Sequence, residues 1–221
     1  MISRLQAIVD VEVAGRSGWT ALDLASAFLD GGARFLQIRA KQLPSGVFLE
    51  LCDAVVARAR DYSAAVIVND RVDLARLAGA AGVHVGQDDV EPAAARTQLG
   101  AAAIVGYSTH SIPQIEAALR EPITYLAVGP IFGTRTKNTG YQAVGPELVS
   151  AAAARADRPI VAIGGITLGT APSVIAAGAS CVAVISDLLT GGDPAARVRA
   201  FLEAMSSSRG TTRTPGSRAP R

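Results

Sequence analysis

The sequence predicts a single α/β domain, a (β/α)8 TIM barrel, and three observations lead there. Short apolar runs recur eight times along the chain, each followed by a stretch with helical spacing. The runs are continuous rather than alternating, the pattern of parallel strands covered on both faces. The alternation continues to residue 205 without a break in composition, a length at which such barrels stay undivided. A doubly wound open sheet is the alternative. It would carry one dominant glycine fingerprint after its first strand, where this chain has Asp10-Val11-Glu12-Val13.

The elements follow in order. Leu5–Val9 reads as the first strand and 19–30 as its helix, closed by Gly31-Gly32. Phe35–Ile38 precedes a helix over 45–61, and Ala65–Val68 precedes one over 72–78 that ends at Gly79. Gly82–Val85 leads into 91–99, ending at Gly100. Ala103–Val105 leads into 111–120, where Ser111 is placed to cap the helix and Pro113 falls in its first turn. Tyr125–Val128 is followed by the longest polar connection, Gly129 to Gly145, and then by a helix over 145–157. Pro159–Ile163 precedes 170–177, ending at Gly178, and Cys181–Ile185 precedes 193–205, opened by Asp193-Pro194. The closing glycines suit helix ends that need a left-handed residue.

Bulk properties narrow the function classes. At 49% hydrophobic and 18% charged, 221 residues can bury a sizeable core. No run reaches the roughly 20 apolar residues of a bilayer span. Met1-Ile2-Ser3-Arg4-Leu5 lacks the order of a secretory signal, and Cys52 and Cys181 lack metal or redox spacing. A cytoplasmic protein with reduced core cysteines is expected. The formal charge is +2, but residues 206–221 carry four Arg and no acid. Taking those four from the 21 basic residues leaves 17 against 19 acidic ones, a net −2 for the folded part, which argues against nucleic acid as its partner. The chain therefore divides into a 1–205 barrel and a 206–221 tail rich in Arg, Ser, Thr and Pro, expected to be disordered.

In such a barrel the chemistry lies at the C-terminal ends of the strands. The polar residues there are Asp10; Arg39 and Lys41; Asn69 and Asp70; Gln87, Asp88 and Asp89; Ser108, Thr109 and His110; the connection through Lys137; Gly164-Gly165; and Ser186. Of 21 basic residues only Lys41 and Lys137 are Lys, and both follow strands. A compact, mobile ammonium suits a phosphate oxygen or a leaving group. Gly164-Gly165-Ile166 follows the seventh strand and Ile185-Ser186 stands at the end of the eighth, where barrels form a phosphate cup from backbone N–H groups. Asp70 and Asp89 end consecutive strands, and two hard carboxylates there suit Mg²⁺. A cap or an ion pair with Arg71 would equally account for Asp70. Arg39 and Lys41, at alternate positions, can hold a diphosphate. The long connection reads as a closing lid. His84 reads as an interior packing residue and His110 as a helix N-terminal residue near the site.

Six motifs, in order, carry a family resemblance: Gln37-Ile38-Arg39-Ala40-Lys41, Val68-Asn69-Asp70-Arg71-Val72-Asp73, Gly82-Val83-His84-Val85-Gly86-Gln87-Asp88-Asp89, Gly106-Tyr107-Ser108-Thr109-His110, Gly129-Pro130-Ile131-Phe132-Gly133-Thr134-Arg135-Thr136-Lys137 and Ala162-Ile163-Gly164-Gly165-Ile166. Over residues 5 to 203 the chain resembles the thiamine phosphate synthases. The resemblance implies a transferase that joins hydroxymethylpyrimidine diphosphate to a thiazole phosphate, releasing pyrophosphate and giving thiamine monophosphate. It implies that Gln37, Ile38, Arg39, Ala40, Lys41, Asn69, Ser108 and Lys137 hold the pyrimidine diphosphate. Asp70 and Asp89 would bind Mg²⁺. Thr134, Arg135, Thr136, Gly165, Ile185 and Ser186 would hold the thiazole phosphate. The implied catalytic set is Arg39, Lys41, Ser108 and Lys137. Ala40 stands where the family commonly has an acid, Gly133 where it commonly has Pro, and Ile8-Val9-Asp10 lacks the usual Thr; no implied ligand is lost. The implied partners are small-molecule substrates, with no nucleic acid and no membrane, and a homo-oligomer is left open.

Three rivals are weighed against this. A thiazole tautomerase of the same superfamily would share the phosphate cup but generally lacks the Thr-Arg-Thr-Lys lid and the paired Asp. A sugar-phosphate isomerase would want an acid/base pair at strand ends, of which only Asp10 is available. A non-catalytic phosphate-binding homologue could keep the cup alone.

Overall fold

The computed structural model describes residues 2–133 and 142–206. Its strands are β1 (Leu5–Asp10), β2 (Phe35–Arg39), β3 (Ala65–Asn69), β4 (Gly82–Val85), β5 (Ile104–Thr109), β6 (Tyr125–Val128), β7 (Ile160–Ile163) and β8 (Cys181–Val184). They pair in parallel and in sequence order, and β8 returns to β1 with Ala7 opposite Val184, so the sheet closes into a barrel. Around it run α1 (Val11–Arg16), α2 (Ala21–Asp30), α3 (Ser45–Arg60), α4 (Val72–Leu77), α5 (Pro92–Leu99), α6 (Ile112–Ala118), α7 (Gly145–Ala153), α8 (Ala171–Ala176) and α9 (Pro194–Ser206). A 3-10 turn, Ser186–Leu189, follows β8.

Strand periodicity divides the apolar residues into two cores. Ile8, Phe35, Ile67, Tyr125, Ala127, Val161, Cys181 and Ala183 fill the barrel interior. The alternate set, including Val9, Leu36, Ile38, Val68, Val105, Leu126 and Val182, packs outward against the helices with Phe28, Phe48, Ile115, Val149 and Phe201. Because both faces are buried, the strands read as unbroken apolar runs. The interior parity also decides which residues reach the mouth: Gln37 and Arg39 continue the inward row of Phe35, whereas Ile38 belongs to the outward row.

Three details depart from the expectation. Residues 11–16 form a helix, because the Asp10 side chain accepts the Val13 N–H at 3.0 Å and Glu12 sits in the positive first turn. β5 runs on to Thr109 through Gly106, Tyr107 and Ser108, where the inward positions carry no apolar side chain. Gly31 is right-handed, with φ −71°, and Gly32, at φ +101°, supplies the left-handed residue. Gly31 is instead a close approach: a Cβ there would stand 2.6 Å from the Ala195 carbonyl of α9.

Both cysteines are buried and free, and burial pushes the Cys52 thiol up to about 12 and that of Cys181 up as well. Among the described residues no helix is long and apolar enough to cross a membrane. α9 ends at Ser206, one residue past the barrel boundary expected at 205; the rest of the tail, 207–221, lies outside the described residues.

Candidate active site

A cavity of about 360 Å³ opens at the C-terminal mouth of the barrel. Gln37, Arg39, Asn69 and Ser108 line one side of it, and Gly164, Gly165, Ile185 and Ser186 line the other. These eight come from five strands and the turns after them, which only the closed barrel brings together.

Arg39 stands opposite Asp10 in the β1–β2 register and forms an ion pair with it. Asp10 is only 2% exposed and also caps α1, so it works as an anchor for the guanidinium. The Arg39 Nε is buried without a hydrogen-bond partner among the described residues, as is Oε2 of Glu12. A buried guanidinium donor left over after its ion pair suits an incoming anion. Glu12 uses its other oxygen, Oε1, to accept the Lys41 backbone N–H at 3.1 Å, which ties α1 to the turn after β2.

The Lys41 ammonium pairs with Asp70. Asp70 takes φ +63°, a left-handed conformation that Asp tolerates better than most side chains, and its N–H donates to the His84 carbonyl at 2.8 Å. Asp89 lies beside it, its Oδ2 accepting the Gly86 N–H at 2.8 Å. Burial pushes the Asp89 carboxyl above the ordinary carboxylate value; the neighbouring Asp70 carboxylate adds to the rise, while the Gly86 N–H and Lys41 oppose it. Two hard carboxylates thus face each other under a single ammonium. That donor set fits Mg²⁺, which would relieve the repulsion that Lys41 offsets only in part. Arg71, by contrast, pairs with Asp73.

The cup on the far wall depends on two left-handed glycines, Gly164 at φ +100° and Gly165 at φ +64°. A Cβ on Gly165 would stand 2.6 Å from the Gly133 carbonyl, and one on Gly164 would stand 2.6 Å from Pro130 Cα. Asp187 fixes the two loops to each other: its Oδ2 accepts the Leu168 N–H at 3.0 Å and the Arg197 Nη2–H at 2.7 Å.

The structure therefore gathers Gln37, Arg39, Asn69, Ser108, Gly165, Ile185 and Ser186 at the cavity, with Lys41, Asp70 and Asp89 clustered together. It does not bring in two side chains. Ile38 is fully buried in the outward core and Ala40 packs against that core, so each could offer a ligand only its backbone. Thr134, Arg135, Thr136 and Lys137 lie outside the described residues.

Sequence reasoning passed over His84, which lines the cavity with its nitrogens engaged by Tyr125 and Ser108. The signal was its parity, two residues from Gly82 and from Gly86 on an inward row. His110 also lines the cavity, its Nδ1 against the Gly129 carbonyl. Gln87 donates to the Ser108 carbonyl at 2.6 Å.

A family profile described as thiamine monophosphate synthase matches residues 5–188. The chain belongs to the thiamine monophosphate synthase family. It is 42% identical over 191 residues to a thiamine-phosphate synthase of Anaeromyxobacter dehalogenans, covering 85% of this chain and 86% of that protein. It is also 42% identical over 194 residues to the thiamine biosynthesis bifunctional protein ThiM/ThiE of Symbiobacterium thermophilum, with 88% of this chain matching only 40% of that longer protein. The thiamine phosphate pyrophosphorylase of Pyrococcus furiosus superposes with a TM-score of 0.85 at 26% identity, over 94% of this chain and 97% of that one. The cavity and the Asp70–Asp89–Lys41 cluster lie on the same mouth of the barrel as the glycine cup.

Proposed function

We propose that this chain is a thiamine phosphate synthase, joining hydroxymethylpyrimidine diphosphate to a thiazole phosphate with release of pyrophosphate. One observation carries the reading: Arg39 and a glycine cup suited to a phosphate line one cavity, and the Lys41–Asp70–Asp89 cluster, suited to a metal-bound diphosphate, follows directly on its lining residues Arg39 and Asn69. The cluster is surplus to a tautomerase, which handles no diphosphate.

Asp70 and Asp89 would hold Mg²⁺, which when bound supplies positive charge against the departing pyrophosphate. Arg39, anchored by Asp10, and Lys41 take the diphosphate oxygens and stabilise the charge that grows on them. Lys137 extends this set, whereas Thr134, Arg135 and Thr136 belong with the thiazole phosphate. Gln37, Asn69 and Ser108 orient the pyrimidine, whose electron-rich ring can carry the developing cation in a dissociative step. The cup at Gly165, Ile185 and Ser186 holds the thiazole phosphate so that the ring nitrogen meets the cation in line. Among the groups at the mouth none is needed as a nucleophile.

The test is to incubate the purified chain with each substrate alone and with both, with and without Mg²⁺, and to follow thiamine monophosphate and pyrophosphate. Equal amounts of the two products, formed only with both substrates and Mg²⁺, are expected. Absence of thiamine monophosphate under that condition overturns the reading.

A further inference from the structure

We propose that a buried hydrogen-bond chain, Gln6–Tyr125–His84–Ser108, fixes the Ser108 hydroxyl as a donor toward the cavity, so that the pyrimidine is recognised through an acceptor atom of its ring. This deepens the synthase reading and, as far as it names the pyrimidine, rests on it.

The chain of donors runs up the inside of the barrel. Gln6, 1% exposed, donates from Nε2 to the Tyr125 hydroxyl at 3.4 Å. Tyr125 is fully buried, and burial pushes its phenol far above the ordinary value, so it keeps its proton. With an acceptor position of that oxygen taken by Gln6, the phenol proton goes to His84 Nδ1, 2.8 Å away. His84 is then a neutral ring protonated on Nε2, and that N–H donates to Ser108 Oγ at 2.8 Å. Ser108 accepts there, which leaves its own proton for an acceptor in the cavity it lines. The reverse assignment, with a proton on Nδ1, would point two donors at the phenol oxygen and strand a buried phenol proton.

The protein is built around this phenol. Gly106 leaves the space it occupies: a Cβ there would stand 2.0 Å from the Tyr125 Cζ and 2.2 Å from its hydroxyl. His84 lies stacked on the Tyr125 ring with centroids 5.7 Å apart, and Phe35 meets it edge-on at 5.9 Å. Tyr125, His84 and Gln6 are thus positioning residues acting through Ser108, and Tyr125→Phe removes the relay while keeping the ring.

The chain contains two histidines, so their ring nitrogens can be assigned by ¹⁵N NMR on the intact protein. His84 is expected as the neutral Nε2–H tautomer in the wild type and as a tautomer mixture in Tyr125→Phe. Gln6→Leu, whose side chain does not line the cavity, is expected to loosen the tautomer in the same way and serves if Tyr125→Phe fails to fold. In steady-state assays Tyr125→Phe should lower kcat/KM for the pyrimidine diphosphate about tenfold, leave KM for the thiazole phosphate unchanged, and cost less than about twofold in a Ser108→Ala background. An Nδ1–H tautomer in the wild type, or an equal loss in both backgrounds, overturns the relay. An Nε2–H tautomer in a protein that makes no thiamine monophosphate supports the relay and overturns the synthase reading instead.

Discussion

At the scale of single residues, the mouth is an electrostatic problem with an incomplete solution. Asp70 and Asp89 press like charges together, and Lys41 pairs with only one of them. Because the folded Asp89 carboxyl lies above its ordinary value of 3.8, it binds its proton more tightly folded than unfolded. That contribution to stability is full below about 3.9 and is lost as pH rises through the folded value. Asp89→Asn should therefore raise the melting temperature of the metal-free protein at pH 7 by about 2 °C, corresponding to roughly 0.5–1 kcal/mol, and the gain should vanish near pH ~3. Mg²⁺ should stabilise the wild type and leave the variant unmoved. Calorimetry in chelator and in Mg²⁺ checks both, and a variant that melts lower at pH 7 would remove the argument for like-charge crowding. The paired acids were legible in the sequence because each follows one of two consecutive strands, Asp70 directly after β3 and Asp89 in the turn after β4. His84 was not, because a histidine on an interior row reads as packing until the partner strands bring Tyr125 and Ser108 to its two nitrogens.

At the scale of elements, the loop after β7 turns backbone geometry into binding. Gly165 is left-handed and lies against the Gly133 carbonyl, so Gly165→Ala adds about 1–2 kcal/mol of backbone strain and pushes a Cβ into a main-chain oxygen 2.6 Å away. The cup should open as a result. KM for the thiazole phosphate is expected to rise about tenfold, worth ~1.4 kcal/mol, with KM for the pyrimidine diphosphate within about twofold. Kinetics with each substrate varied in turn decides it, and equal changes in both would argue against a phosphate cup at this turn. Elements of this kind were the most readable part of the chain. The strand starts fell at or beside the expected apolar runs, and the caps at Ser111 and Asp193 accept N–H groups from Gln114 and Ala196 as their types suggest. What escaped was local: α1 depends on the Asp10 cap, whose helix is too short for periodicity to show, and the end of β5 carries glycine and serine where the interior opens toward ligand.

At the scale of the whole molecule, the site exists because the ring is closed, and α9 does much of the closing outside the strands. It packs against α2 and α8, burying Val198, Phe201 and Met205 completely. Arg4 completes the junction: its guanidinium donates to the Met205 carbonyl at 2.8 Å, and its own carbonyl accepts the Val182 N–H of β8 at 2.9 Å. The two ends of the barrel are thereby held at one seam, behind Asp187 and the phosphate cup, to which Arg197 of α9 is joined. Three fully buried apolar side chains contribute roughly 5–9 kcal/mol, comparable to the entire stability of a domain. A chain stopped after Ser206 should keep the melting temperature within about 1 °C and retain kcat/KM for both substrates, since it keeps every one of these contacts. Removing residues 194–206 as well should abolish the cooperative transition. Scanning calorimetry of the two truncated chains beside the full one separates these outcomes. A Ser206-terminated chain that melts several degrees lower would assign the Arg-rich tail a part in the fold, against its composition.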